Sequence, residues 1–313
     1  MKIKAHQTFF IRAGWLYKGL SNVVEDNVKL KLNEDENKTL SSDLFISQDS
    51  MNRLGLGSAM VKSLRYWMVA TGLTSEIVSG ISKGQRETRF GSLVYTYDRH
   101  FEKLTTLLLC HYFIATNEND CTSWYYFFNE FPYKEFTKDD LFLSLNDWIC
   151  SQKVKPAESS ILSDVNCIIK TYYNERDVNF DTNIFEDNKK SPLSVLGLIV
   201  PSLDNKVFYK NPIAFEKIPS EVAMYILLRQ IESSSDAKSH SINFDTFLMQ
   251  SCSLKKVFNL NTESVIKLML KLEREDFIRY VKTAGLEQII IKDSKKDSNY
   301  YLRKCYEREE NEK

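Results

Sequence analysis

Cations and aromatic rings are the chemistry-bearing residues of the first hundred positions. The opening stretch HQTFFIRAGWLYKG sets His6, Arg12 and Lys18 among Phe9, Phe10, Trp15 and Tyr17. Between residues 50 and 103, Arg53, Lys62, Arg65, Lys83, Arg86, Arg89, Arg99 and Lys103 face only Glu76, Glu87, Asp98 and Glu102. Such a local excess of Lys and Arg neutralises phosphates and releases counterions, which gives affinity for nucleic acid without reading its sequence. The excess is local because the chain as a whole is neutral, with 42 Lys and Arg against 42 Asp and Glu, and exerts no long-range pull on a polyanion or a membrane. The candidate DNA contacts are therefore Arg12, Lys18, Arg53, Lys62, Arg65, Lys83, Arg86 and Arg89, with Tyr66 beside them on the same stretch.

His6 is the candidate catalytic residue, since an imidazole titrating near neutrality can protonate a leaving oxygen. A phosphate contact and a hydrogen-bonded edge residue are the two other roles its position allows. Metal-assisted strand cleavage needs two or three convergent carboxylates or imidazoles around Mg²⁺ or Mn²⁺. The nearest clusters are YDRH (Asp98, His100) and KDD (Asp139, Asp140), which read equally well as the end of a hairpin and as a helix cap, so the metal ligands stay unassigned. No Walker loop, no GxGxxG after a strand and no GxSxG elbow occurs. An ATPase, a dehydrogenase and a serine hydrolase are not expected on that ground, nor is a nucleotide cofactor.

The elements that must position these residues are mostly helical. Ten Gly and six Pro in 313 residues leave little room for linkers. Apolar residues at helical spacing predict a first helix over residues 14–24, and the polar run EDNVKLKLNEDENKT after it reads as a loop or insertion (residues 25–38). A short helix is expected at SSDLFIS, then a tight turn at Gly55 and Gly57, Ser58 as a cap, and a helix carrying Val61, Leu64, Trp67 and Met68 on its apolar stripe. Lys62, Arg65 and Tyr66 are placed on the opposite face. The following segment, around Gly80, Gly84 and Gly91, suits a two-stranded wing. If residues 6–12 run extended beside this unit, His6, Thr8 and Arg12 share an edge with its basic surface.

Beyond it, two or three buried helices are expected, with Thr137 capping a helix that has Asp139 and Asp140 in its first turn. SQKVKPAESS (residues 151–160) is the best domain boundary. A helix at ILSDVNCIIKTYYNE, an irregular region over 177–219 with a strand at VLGLIV, and helices at SEVAMYILLRQI and LNTESVIKLMLKLEREDFIRY follow, with Thr262 as a cap. QIIIKD and NYYLRK read as paired strands. The expected fold is thus mainly α with small β-wings: winged-helix-like N-terminal and C-terminal units around helical bundles. The division is a DNA-binding domain with a helical extension (1–150) and a helical domain with a second such unit (151–313).

Six cysteines without CxxC or CxxH spacing read as reduced, mostly core thiols of a cytoplasmic protein. Arg12 and Lys18 interrupt what a signal peptide would keep apolar. No apolar run reaches the ~20 residues that span a bilayer, so no membrane partner is expected.

Taken in order, HQTFFIRAGWLYKGL, LGLGSAMVKSLRYWMVATGL, WYYFFNEF with FTKDDL, and SPLSVLGLIV resemble the bacterial domain-of-unknown-function 4007 family over nearly the whole chain. His6, Thr8, Phe9, Arg12, Trp15 and Gly19 match its first motif; Gly55, Gly57, Met60, Val61, Arg65, Tyr66 and Trp67 match its second. The resemblance implies the DNA-nicking B component of a single-stranded DNA phosphorothioation system for phage defence. Its partners would be double-stranded DNA, a cysteine desulfurase, an ATPase and a sulfur-inserting protein related to PAPS reductases. The residues themselves leave two functions open: a DNA nickase, and a non-catalytic DNA-binding adaptor or transcriptional regulator.

Overall fold

A computed structural model describes residues 1–32, 41–79, 82–173, 190–233, 240–283 and 286–311. Helix α1 (Trp15–Leu32) is followed by the short α2 (Ser50–Leu54), α3 (Ser58–Ala70), the hairpin β1 (Thr74–Ser79) and β2 (Ser82–Glu87), and α4 (Arg89–Tyr97). Next come α5 (Leu104–Thr116), α6 (Thr122–Asn129), β3 (Glu135–Thr137), α7 (Lys138–Ser151) and α8 (Glu158–Tyr172). Then β4 (Ile199–Pro201), β5 (Val207–Lys210), α9 (Ser220–Ser233), β6 (Ser241–Asn243), α10 (Phe244–Met249), α11 (Leu254–Val257), α12 (Thr262–Arg274), β7 (Ile278–Thr283), β8 (Leu286–Ile291) and α13 (Ser298–Asn311) complete the described chain. The protein is mainly helical. Its described strands form small antiparallel sheets in the orders β1-β2, β3-β5-β4 and β6-β8-β7.

Two expected loops and strands turn out to be helices. α1 runs on through Leu32, because its polar side chains are engaged rather than solvated: Glu25 holds Arg99, Asp26 holds Arg53 and Ser42, and Asn27 donates to Glu87. Residues 33–38 of the expected insertion lie outside the described residues, as do Gly80 and positions 177–189. Residues 298–311 form α13, whose buried Tyr301, Leu302, Cys305 and Tyr306 recur at helical rather than alternating spacing. The partners of β8 are β6 and β7 instead. Residues 44–49 are turns, not a helix, and Ser42 bridges to Gln85 on the hairpin.

The capping signals fare unevenly. Thr137 closes a full capping box with Asp140 at the start of α7. The cap of α12 is Asn261, not Thr262, and that of α3 is Gly57 without a side-chain bond, not Ser58. Gly55 takes a left-handed φ of 63° that ends α2 and turns the chain into α3. Gly91 lies inside α4 rather than in the wing; a Cβ there would meet the Leu73 carbonyl oxygen at 2.0 Å, so only glycine lets α4 pack this close.

The boundary expected at 151–160 falls between α7 and α8, yet packing is continuous across it. Strand β3 pairs with β5, and buried residues from Ile11 to Tyr306 make one hydrophobic cluster. His111 of α5 is part of that continuity. Its Nδ1 accepts from the Tyr172 hydroxyl at 2.8 Å and its Nε2 donates to the Val257 carbonyl at 2.7 Å. Burial lowers this imidazole to about 4 against the opposing pull of the Val257 carbonyl.

Candidate nucleic-acid interface

The opening segment is folded inward, not extended along an edge. Lys4, Gln7 and Thr8 take left-handed φ values of 58°, 51° and 70°, a conformation that non-glycine residues hold only under tertiary constraint. Asp164 of α8 supplies that constraint. Its Oδ1 accepts from His6 Nε2 at 2.8 Å and from the Lys4 backbone N–H at 2.9 Å, while its Oδ2 accepts from Ser123 Oγ at 2.5 Å. The Phe9 carbonyl in turn accepts from Trp67 Nε1 at 3.0 Å.

His6 is therefore misplaced by the sequence reading. It is 1% exposed, surrounded by Tyr66, Trp67 and Trp124 at centroid distances of 6.4, 6.3 and 5.6 Å. Tyr66 is half-buried against the same cluster. Its ring packs edge-on to Trp67 at 4.9 Å, and burial, with Cys121 alongside, pushes its phenol well above the ordinary value.

The cations separate into three groups. Arg65 makes two bonds to Glu76, at 2.8 and 2.5 Å, and Gln85 steadies the pair by donating to both the Arg65 carbonyl and Glu76. The Glu76 hydrogen bond raises the guanidinium further. Burial opposes ionisation of Glu76, yet the bonds from Arg65 and Gln85 hold it below the usual carboxylate range. Arg53 is likewise bound to Asp26 at 2.7 Å, and Lys18 leans on the Leu54 carbonyl at 3.4 Å, where it covers the end of α2. Arg65 and Arg53 spend their charge inside the molecule, whereas Lys18 stays exposed.

Lys62, Lys83 and Arg89 are exposed, and none forms an ion pair with a described residue. Lys62 sits one turn before Arg65 on α3. In the hairpin register Val78 pairs with Lys83 and Glu76 with Gln85, and side chains alternate across a sheet with period two. Lys83 thus lies on the hairpin face that touches Arg65. Arg86 falls on the other face with Gly84, toward Ser41 and Ser42. Arg89 opens α4 immediately after the hairpin.

Arg12 forms the third case. Its guanidinium carbon lies 5.5 Å from Phe9, 5.9 Å from Phe10 and 5.5 Å from Trp15, and its Nε is buried without a described hydrogen-bond partner. Three rings hold the charge in place, and among the described residues no carboxylate pairs with it.

The candidate metal clusters serve the backbone. Asp98 accepts from the N–H groups of Glu102 and Lys103, and Asp140 closes the α7 capping box. Among the described residues no group of three His, Cys, Asp or Glu side chains is close enough to hold a metal ion.

Fold and surface together define a mainly helical protein with small antiparallel sheets, presenting exposed cations without an ion pair among the described residues on one helix, its following hairpin and the next helix. The chain belongs to the family described as "Protein of unknown function (DUF4007)", whose model matches residues 3–306. Among solved structures it is similar to a crystal structure of SspB and to one of magnesium ion-bound SspB. Each is 20% identical, has a TM-score of 0.77, and aligns over 99% of this chain and 88% of the other. No curated protein matches it.

Proposed function

We propose that this protein is the DNA-binding component of a bacterial DNA phosphorothioate modification and anti-phage defence module, the counterpart there of SspB. It binds double-stranded DNA across α3, the β1–β2 hairpin and the start of α4, and nicks it so that sulfur can enter the backbone. The observation that carries the binding is the exposure of Lys62, Lys83 and Arg89 without an ion-pair partner among the described residues. Cations free of acids are the ones that exchange counterions for phosphates. Arg12 adds a planar fork that can hold two oxygens of one phosphate. In this reading α3 with β1–β2 acts as a winged-helix-like unit, and α12 with β7–β8 as a second one.

The module's other members would be the cysteine desulfurase, the ATPase and the sulfur-inserting PAPS-reductase-like protein, all in the cytoplasm. No described helix is long and apolar enough to cross a membrane. The described residues do not present a ligand set for Mg²⁺ or Mn²⁺, and no chemical step is routed through an ion here. One observation favours the second reading, a non-catalytic adaptor or regulator: the histidine first suspected of acid catalysis is buried.

Supercoiled plasmid incubated with the purified protein and Mg²⁺ or Mn²⁺ separates the two. Conversion to open circle supports the nickase. Binding without conversion supports the adaptor, and no binding to DNA overturns both.

A further inference from the structure

Four side chains outside the face just described form a continuous stack. Tyr17 of α1 lies against His100 with ring centroids 4.8 Å apart and planes 25° from parallel. The Arg99 guanidinium is 5.7 Å from the Tyr17 centroid and 4.6 Å from that of Tyr95 on α4. The order Tyr95, Arg99, Tyr17, His100 therefore places a planar cation between two rings and ends on an imidazole. Such a stack is the arrangement on which successive bases pile, every base having a π-face to offer.

Its parts are fixed before any ligand arrives. Arg99 is held by Ser21 Oγ at 3.1 Å and Glu25 at 2.8 Å. The connection carrying His100 is braced on both sides. Asp98 accepts from the Glu102 and Lys103 N–H groups at 2.9 and 3.1 Å, and Phe101, with a left-handed φ of 61°, is only 8% exposed. His100 itself is exposed, and Tyr17 is its one ring neighbour among the described residues. A rigid, solvent-facing ring at the end of a stack leaves one face for an incoming ring. The exposed side of α4, through Arg89, Ser92 and Thr96, joins this stack to the hairpin cations.

We propose that the His100 end of the stack receives an unpaired base of single-stranded DNA, with Tyr17 and then the Arg99 guanidinium stacked beneath it. This rests on the DNA-binding reading above and adds a strand-specific site to it.

The test uses the full-length protein and two probes: a single-stranded oligonucleotide carrying 2-aminopurine, and a labelled duplex. Wild type should quench the aminopurine on binding. His100→Ala should weaken single-strand binding roughly 5- to 150-fold, the range that losing one stacking partner produces, with duplex affinity and melting temperature unchanged. His100→Trp should restore binding. Equal single-strand affinity in wild type and His100→Ala, equal losses on both probes, or a wild type that binds duplex but not single strands would each overturn the proposal while leaving the duplex face standing. A protein that binds neither probe overturns the DNA-binding reading itself.

Discussion

Replacing Asp164 with alanine removes the acceptor on which the opening segment is hung. Three donors lose their partner: His6 Nε2, Ser123 Oγ and the Lys4 N–H. The His6 and Ser123 side chains are both buried at 1% exposure, and each buried donor left unsatisfied costs about 1–3 kcal/mol. The Ser123 hydroxyl can rotate and the half-buried Lys4 N–H can find water, so the sum settles near ~3–5 kcal/mol. That is a large share of the ~5–15 kcal/mol that keeps a domain folded. His6→Ala alone leaves the carboxylate two donors and should cost about 2–4 kcal/mol by the same reasoning.

Because the two residues share one bond, the double variant should cost less than the sum by about 1–3 kcal/mol. Urea unfolding followed by tryptophan fluorescence reads this directly, since Trp67 and Trp124 both flank His6. Duplex affinity of the folded single variants should stay at the wild-type level. Additive losses, to within about 0.5 kcal/mol, would show that the His6–Asp164 contact does not couple the opening segment to α8.

Three other outcomes follow from the same structure. Trp67→Ala deletes a fully buried indole and leaves the Phe9 carbonyl only its long bond from Ser63 Oγ, and should lower stability by ~3–5 kcal/mol in urea titrations; a loss under 1 kcal/mol would place Trp67 outside the core. His111 has its folded value lowered to about 4, so its contribution is complete above the unfolded value of about 6.5 and is lost as pH falls from there toward 4. That loss amounts to about 3 kcal/mol, and His111→Gln should flatten the stability profile over that window. Glu76→Gln releases Arg65 from its carboxylate, so duplex affinity should rise and the salt slope steepen by about one phosphate contact. Weaker binding in that variant would mean that the pair positions the hairpin for DNA rather than masking a charge.

Local signals were legible and long-range partners were not. The capping box at Thr137 and the hairpin after α3 depend on residues within a few positions of one another, and both appear where spacing predicts them. The extent of α1 was hidden because its polar face looks solvated in the sequence, whereas Arg53, Glu87 and Arg99 engage it from distant positions. The inward turn of His6 depends on Asp164, 158 residues away, and nothing near either residue announces the pair. Among the candidate DNA contacts, charge could be counted but pairing could not. Glu76 and Asp26 pair Arg65 and Arg53 within the fold, whereas Lys62, Lys83 and Arg89 have no ion pair with a described residue. The stack at Tyr17 and His100 had a faint local signal in YTYDRH, where two rings and Arg99 cluster, but its Tyr17 member comes from α1.

The most direct measurement is the salt dependence of duplex binding in the triple replacement Lys62→Ala, Lys83→Ala, Arg89→Ala. If these cations hold the phosphates, the slope of log affinity against log salt should fall in magnitude by roughly 2.7, three contacts at about 0.9 each. The melting temperature should stay within a degree or two of wild type, since all three side chains are exposed. A wild-type slope in the triple variant would place the DNA on another face of the protein.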